Sequence, residues 1–200
     1  MKKILHIISS PRGEASFSIK LGQAIIEKLQ TANPQSTVKV HDLTKAPFAH
    51  LGQAQLIGFF TRPENRTTEN MADIRQSEEA VNEVLEADII VIGVPVYNFS
   101  IHSTLKAWID QIVRVGRTVR FSADGVEGLV KNKKVYLAIS SKGIYSEGEM
   151  KEFDFVEPYL RHILKYIGMT DIEVLRVEGT SVPAEQHIAL QRTIANFITV

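Results

Sequence analysis

Three short stretches of the chain hold residue types that could do chemistry. The first is rich in hydroxyls: Ser9, Ser10, Ser16 and Ser18, interrupted by Pro11-Arg12-Gly13. Serine hydroxyls beside free backbone N–H groups at the start of a helix suit a phosphate dianion. The same serines could simply cap that helix, a common use of serine. Arg12 is free to help an anion or to sit in solvent, whereas Glu14 opposes one and is expected to point outward. The second stretch is Pro95-Val96-Tyr97-Asn98-Phe99. It carries no charge and sets one amide, both donor and acceptor, between two aromatic rings, which suits a flat ring with a polar edge. Asn98 could instead stabilise a turn, and the rings could belong to the core. The third stretch, Ser141-Lys142-Gly143-Ile144-Tyr145, combines small residues with one cation. Backbone N–H groups and Lys142 there could stabilise negative charge.

These stretches need elements to position them. Lys3–Ile8, Thr37–His41, the run from Asp88 through Val94, Val135–Ser140 and Ile172–Val177 are short and rich in isoleucine and valine, and read as strands. Ile89 to Val94 is apolar throughout, as a buried parallel strand is. Helical spacing of apolar residues predicts helices from Ser16 or Ser18 to Asn33, over Asn70–Ala87, over Leu105–Val115 closed by Gly116, within Met150–Ile167, and over Ala184–Ile198. Gln53–Phe60 reads as a short helix in the irregular segment 43–68, and Arg117–Leu129 reads as irregular. Phe48, Phe59 and Phe60 in the former could line a pocket, join a subunit contact or pack in the core.

Composition narrows the class. Lys plus Arg number 23 and Asp plus Glu number 23, so no global field draws nucleic acid or a membrane surface. Cysteine is absent, which excludes disulfides, thiolate chemistry and cysteine-ligated metals. No apolar run approaches the ~20 residues of a membrane span, and Lys2-Lys3 leads directly into the first strand. A soluble cytoplasmic protein is expected, with residues 1–200 forming one domain.

Five strands alternating with helices predict a three-layer α/β sandwich around a parallel sheet. A phosphate-type first loop favours the flavodoxin-like strand order 2-1-3-4-5. In that order the loops after strands one, three and four converge on one crevice at the carboxyl ends of the strands, and these are the three chemical stretches. The first loop lacks the Gly-Lys-Ser/Thr ending of a Walker loop and, with only Gly13, the Rossmann fingerprint. A phosphorylated flat ring is therefore expected, and the ring of choice is a flavin, which gathers negative charge when reduced.

With these turns in view, the whole chain resembles the bacterial FMN-dependent NADH:quinone oxidoreductase/azoreductase family. The resemblance rests on Pro95 to Ile101 with Leu105-Lys106, and is supported by Ser9-Ser10, Ser16-Phe17-Ser18, Ser141-Lys142-Gly143, Pro158-Tyr159-Leu160 and Ile167 to Asp171. It implies one non-covalent FMN per subunit, its phosphate held by Ser10, Ser16, Phe17 and Ser18. The ring would be held by Val96, Tyr97, Asn98 and Phe99, and by Ser141, Lys142, Gly143 and Ile144. It further implies a homodimer with FMN at the subunit interface, NADH as donor, and ping-pong reduction of quinones or azo compounds. Phe60 and Phe121 would wall the open face of the flavin. Val96, His102 and Ile144 depart from the family's common methionine, proline and second glycine. His102 is read as a surface residue at a helix start, and no catalytic side chain is assigned. Rival readings are an NAD(P)H-dependent FMN or iron-chelate reductase and a flavodoxin-type electron carrier, the latter disfavoured by the neutral charge. A receiver-type signalling module needs acidic residues where Ser9-Ser10 and Val94-Pro95 stand.

Overall fold

Runs of isoleucine and valine build the central sheet of the computed structural model, which describes residues 1–197. In chain order the strands are β1 (Lys3–Ile8), β2 (Thr37–Asp42), β3 (Ile89–Pro95), β4 (Val119–Ser122), β5 (Gly125–Gly128), β6 (Lys134–Ser140) and β7 (Asp171–Val177). Five of them pair in parallel in the order β2-β1-β3-β6-β7, while β4 and β5 form a separate antiparallel hairpin. The expected order 2-1-3-4-5 is thus corrected to 2-1-3-6-7. The two hairpin strands fall between the third and fourth strands of the main sheet, where the sequence had read an irregular loop.

The helices are α1 (Phe17–Ala32), α2 (Gln53–Phe60), α3 (Thr68–Glu86), α4 (Ser103–Ile112), α5 (Val156–Tyr166) and α6 (Pro183–Asn196). Side chains alternate across each strand, so neighbouring residues enter different layers. Leu5, Ile7, Ile90, Ile92 and Val94 pack with Val81 and Val84 of α3, Trp108 and Ile112 of α4, and Leu160 and Leu164 of α5. Ile4, Val91, Ala138 and Val177 face Leu21, Ile25 and Leu29 of α1 and Leu190 of α6. The result is the expected three-layer sandwich, with β3 buried at every position.

Several helix ends differ from expectation: α3 runs Thr68–Glu86 rather than Asn70–Ala87, and α4 begins at Ser103. α4 ends at Ile112, where Val113 leaves helical geometry, so Gly116 does not close it. Gly116 instead takes a left-handed φ of 79° in the following loop, where its N–H donates to the Val119 carbonyl. α6 ends at Asn196, and the expected last residue, Ile198, lies outside the described residues. Among the described residues, no helix is long and apolar enough to cross a membrane.

Candidate functional site

The carboxyl ends of β1, β3 and β6 open onto a cleft of about 370 Å³. Ser10, Arg12, Ser16 and Phe17 form its first wall, Pro95 to Phe99 the second, and Ser140, Ser141, Lys142, Tyr145 and Thr180 the third. That volume falls within the usual range for small-molecule sites. A larger cavity, about 490 Å³, lies beside Lys3, Lys39, Glu83 and Glu86. It sits at the amino ends of β1 and β2, away from the strand ends where open α/β sheets bind ligands.

The first wall follows from the first helix turn. Ser16 is the N-cap of α1, and its hydroxyl accepts from the Ile19 N–H at 3.4 Å. The Ser16 and Ser18 hydroxyls lie 3.0 Å apart, and Ser9 donates to the Gly93 carbonyl at 2.7 Å. Ser10, Ser16 and Ser18 are all buried. The N–H groups of Phe17 and Ser18 belong to the first turn, where no intrahelical acceptor exists. This helix start packs on β3 at Gly93, where even a Cβ would make only ordinary contact, 3.4 Å from the Ile7 and Ser18 carbonyl oxygens. Glu14 is exposed, as expected. Ser16 therefore does cap its helix, and it also lines the cleft.

The second wall is conformationally costly. Tyr97 and Ser100 exchange hydrogen bonds, Tyr97 N–H to Ser100 O at 3.0 Å and Ser100 N–H to Tyr97 O at 2.9 Å. The two residues between them are left-handed, with φ of 48° at Asn98 and 64° at Phe99. Asparagine tolerates that region; phenylalanine does not, and such residues cost about 1–3 kcal/mol and cluster at ligand clamps. The turn aims the Asn98 and Phe99 N–H groups away from the ladder, and neither has an acceptor among the described residues.

The third wall is held from β7. Ser141 N–H donates to the Val177 carbonyl at 3.0 Å, and the Thr180 N–H and hydroxyl both donate to the Ser141 carbonyl, at 3.3 and 2.9 Å. Ser141 in turn donates its hydroxyl to the Gly143 carbonyl at 2.8 Å. Behind this wall Arg176 pairs with Asp154, Glu157 and Glu178. Burial draws the Arg176 guanidinium down, but Glu157, Asp154 and Glu178 together hold its pKa above the ordinary value.

The structure thus brings together most residues expected from the sequence. Ser10, Ser16, Phe17, Val96, Tyr97, Asn98, Phe99, Ser141 and Lys142 line the cleft itself. Ser18 lies behind Ser16, and Gly143 and Ile144 line an adjoining groove that shares Lys142. Phe60 and Phe121 are exposed, on α2 and β4, and line neither cavity. His102 caps α4 through Nδ1, which accepts from the Thr104 N–H at 3.3 Å. Sequence reasoning left out of the site Tyr145, already in the quoted turn, and Thr180. The available signal for Thr180 was Glu178-Gly179-Thr180, a glycine turn at the carboxyl end of another parallel strand.

Together the sheet order and the cleft define a flavodoxin-like protein, and the family model described as "Flavodoxin-like fold" matches residues 2–199. Curated relatives are more specific. An FMN-dependent NADH:quinone oxidoreductase of Mesorhizobium japonicum is 42% identical, covering 88% of this chain and 84% of the relative. One of Nostoc punctiforme is 42% identical, covering 98% of this chain and 100% of the relative. Among solved structures, the azoreductase from Bacillus anthracis str. Sterne superposes with a TM-score of 0.89 at 28% identity, covering 98% of this chain and 96% of that one. The chain belongs to the FMN-dependent NADH:quinone oxidoreductase family.

Proposed function

We propose that residues 1–200 form one FMN-binding domain of a cytoplasmic enzyme that passes two electrons from NADH to quinones, and that also cleaves aromatic azo compounds. The observation that carries this reading is the strained Asn98-Phe99 turn facing a buried serine-lined helix start across one cleft. A phosphate at Ser10, Ser16 and the Phe17 and Ser18 N–H groups finds donors that the fold otherwise leaves unused. Ser18 supports it by fixing the Ser16 hydroxyl. A flat ring would then lie between Val96 to Phe99 and Ser141 to Ile144. Asn98 and the free N–H groups of its turn are placed to meet a polar ring edge, and Lys142 to balance negative charge.

When bound, FMN supplies the capacity to accept and release an electron pair; the chain contributes binding, orientation and electrostatics. Donor and acceptor would then use this cleft in turn, in a ping-pong order. No side chain is assigned as proton donor, and water serves. The enzyme works as a homodimer with one FMN per subunit. Exposed Leu56, Ile57, Phe60, Phe121 and Val126 support this, since a partner would cover them and bring Phe60 and Phe121 toward the open face of the ring.

The absorption spectrum of the purified protein tests the class. A yellow protein that releases FMN supports it; a protein colourless after incubation with excess FMN and desalting rejects it. Assays with benzoquinone, an azo dye and a ferric chelate then rank the acceptors. Fast chelate reduction with slow turnover of the other two would favour the iron-chelate reductase reading instead.

A further inference from the structure

We propose that Glu178 is a positioning residue that latches Tyr145 at the mouth of the cleft and thereby sets how tightly an acceptor is held beside the cofactor. This rests on the reading of the cleft as the FMN site. Tyr145 stands between two walls. Its ring meets Phe99 edge-on at 6.1 Å between centroids, and Phe99 packs against Phe153 at 5.9 Å. A Cβ on Gly143 would lie 3.2 Å from the Tyr145 ring, so the ring occupies the space that glycine leaves. Tyr145 is thus the only member of the third wall whose ring touches the strained turn of the second.

Beyond Gly143, whose carbonyl accepts from the Ser141 hydroxyl and the Gly179 N–H, little else holds the loop that carries this ring. Residues 146–152 are all exposed, and an exposed segment with few buried contacts opens at low free energy. Glu178 supplies the anchors: its carboxylate accepts from the Tyr145 N–H at 2.9 Å and from the Ser146 hydroxyl. Its side chain is only 10% exposed, and Arg176 donates to it at 3.1 Å. Arg176 is itself fixed by Asp154 and Glu157, so the latch is mounted on β7 and α5 rather than on another loop. The carboxylate is buried and oriented by its pairing with Arg176, a setting that makes hydrogen bonds strong. Its loss strands the Tyr145 N–H and frees the ring from Phe99. The serine loop, which takes the phosphate, is untouched by it.

The test compares wild type with Glu178→Ala, Glu178→Gln, Tyr145→Ala and Arg161→Gln. Arg161 touches the far side of the same ionic network, through Glu157 and the Ile172 carbonyl, but not the loop. Amide exchange is followed in the FMN-free proteins, and FMN affinity and steady-state kinetics with benzoquinone in the loaded ones. Glu178→Ala is expected to speed exchange of the 142–147 amides and to raise the KM for benzoquinone about fivefold to tenfold with kcat within about twofold, the pattern of lost acceptor binding. Its FMN affinity changes less than its KM. Glu178→Gln keeps an acceptor oxygen for the Tyr145 N–H and recovers most of the KM. Tyr145→Ala reproduces the KM rise through the ring alone, and Arg161→Gln leaves both loop exchange and KM unchanged. Unchanged loop exchange in Glu178→Ala, or a KM rise in Arg161→Gln equal to that in Glu178→Ala, overturns the latch alone. Wild-type protein that takes up no FMN overturns the cofactor reading, and the latch's role at the acceptor with it.

Discussion

At the scale of single residues, Asn98 and Phe99 shape the second wall of the cleft. Both sit in the positive-φ region that most side chains avoid, and the turn they form leaves their N–H groups free. Asn98→Ala is expected to weaken FMN binding about tenfold, the worth of one or two hydrogen bonds, while the far-ultraviolet circular dichroism stays unchanged. Fluorescence titration with FMN measures this, and an unaltered affinity would remove Asn98 from the site. Replacing Ser16 and Ser18 together by alanine separates two roles for the hydroxyls. Affinity for FMN should fall more than affinity for riboflavin, which lacks the phosphate. Equal losses would reduce both serines to structural duty. Residue type made Asn98 and the serines legible in the sequence. Phe99's left-handed backbone was not legible, because phenylalanine disfavours that conformation and only the closed turn enforces it.

At the scale of elements, the β4–β5 hairpin is the clearest departure from what local patterns suggested. Its two-residue loop is Ala123-Asp124, and Gly125 follows it with a left-handed φ of 117°. The flanking Val119-Arg120-Phe121-Ser122 and Gly125-Val126-Glu127-Gly128 carry too few apolar residues to read as strands with a buried face. What holds the hairpin is a backbone contact: a Cβ on Gly128 would lie 2.2 Å from the Gly168 nitrogen, and one on Gly168 would lie 2.8 Å from the Gly128 carbonyl carbon. The glycine that ends α5 is thus also a docking surface. Gly128→Ala should force the two backbones apart, cost about 3 kcal/mol or more, and lower the melting temperature by roughly 6–12 °C. Calorimetry checks it, and a shift under about 2 °C would show that the contact relaxes freely.

At the scale of the whole molecule, one buried histidine ties stability to acidity. His6 on β1 is 2% exposed, and its Nε2 has no hydrogen-bond partner among the described residues. α1 presses on it at Gly22, where a Cβ would meet Nε2 at 2.7 Å. Burial lowers its pKa from 6.5 to about 4, with Asp42 pulling weakly the other way. The folded chain therefore keeps His6 neutral between those values while the unfolded chain takes up the proton. This contribution to stability is fully present above pH 6.5, is lost as pH falls through the window, and levels off below about pH 4. The total loss from this group is about 3 kcal/mol. Urea unfolding at pH 7 and pH 5 measures the slope, and His6→Leu should flatten it by close to one proton. An identical slope in that variant would assign the acid sensitivity to other groups.

The sequence by itself determined the alternation of strands and helices, the three turns that line the cleft, and most of the residues facing it. Those features are local: a buried parallel strand is apolar throughout, a helix start wants a hydroxyl, and a turn wants asparagine or glycine. Only the tertiary structure decided that β7 reaches back to fasten the third turn, that Tyr145 closes on Phe99, and that His6 lies neutral beneath α1. The Tyr145–Glu178 bond spans 33 residues, and the Gly128–Gly168 contact joins the end of β5 to the turn after α5. Such contacts leave no periodic trace along the chain, because their partners become neighbours only after the sheet has assembled.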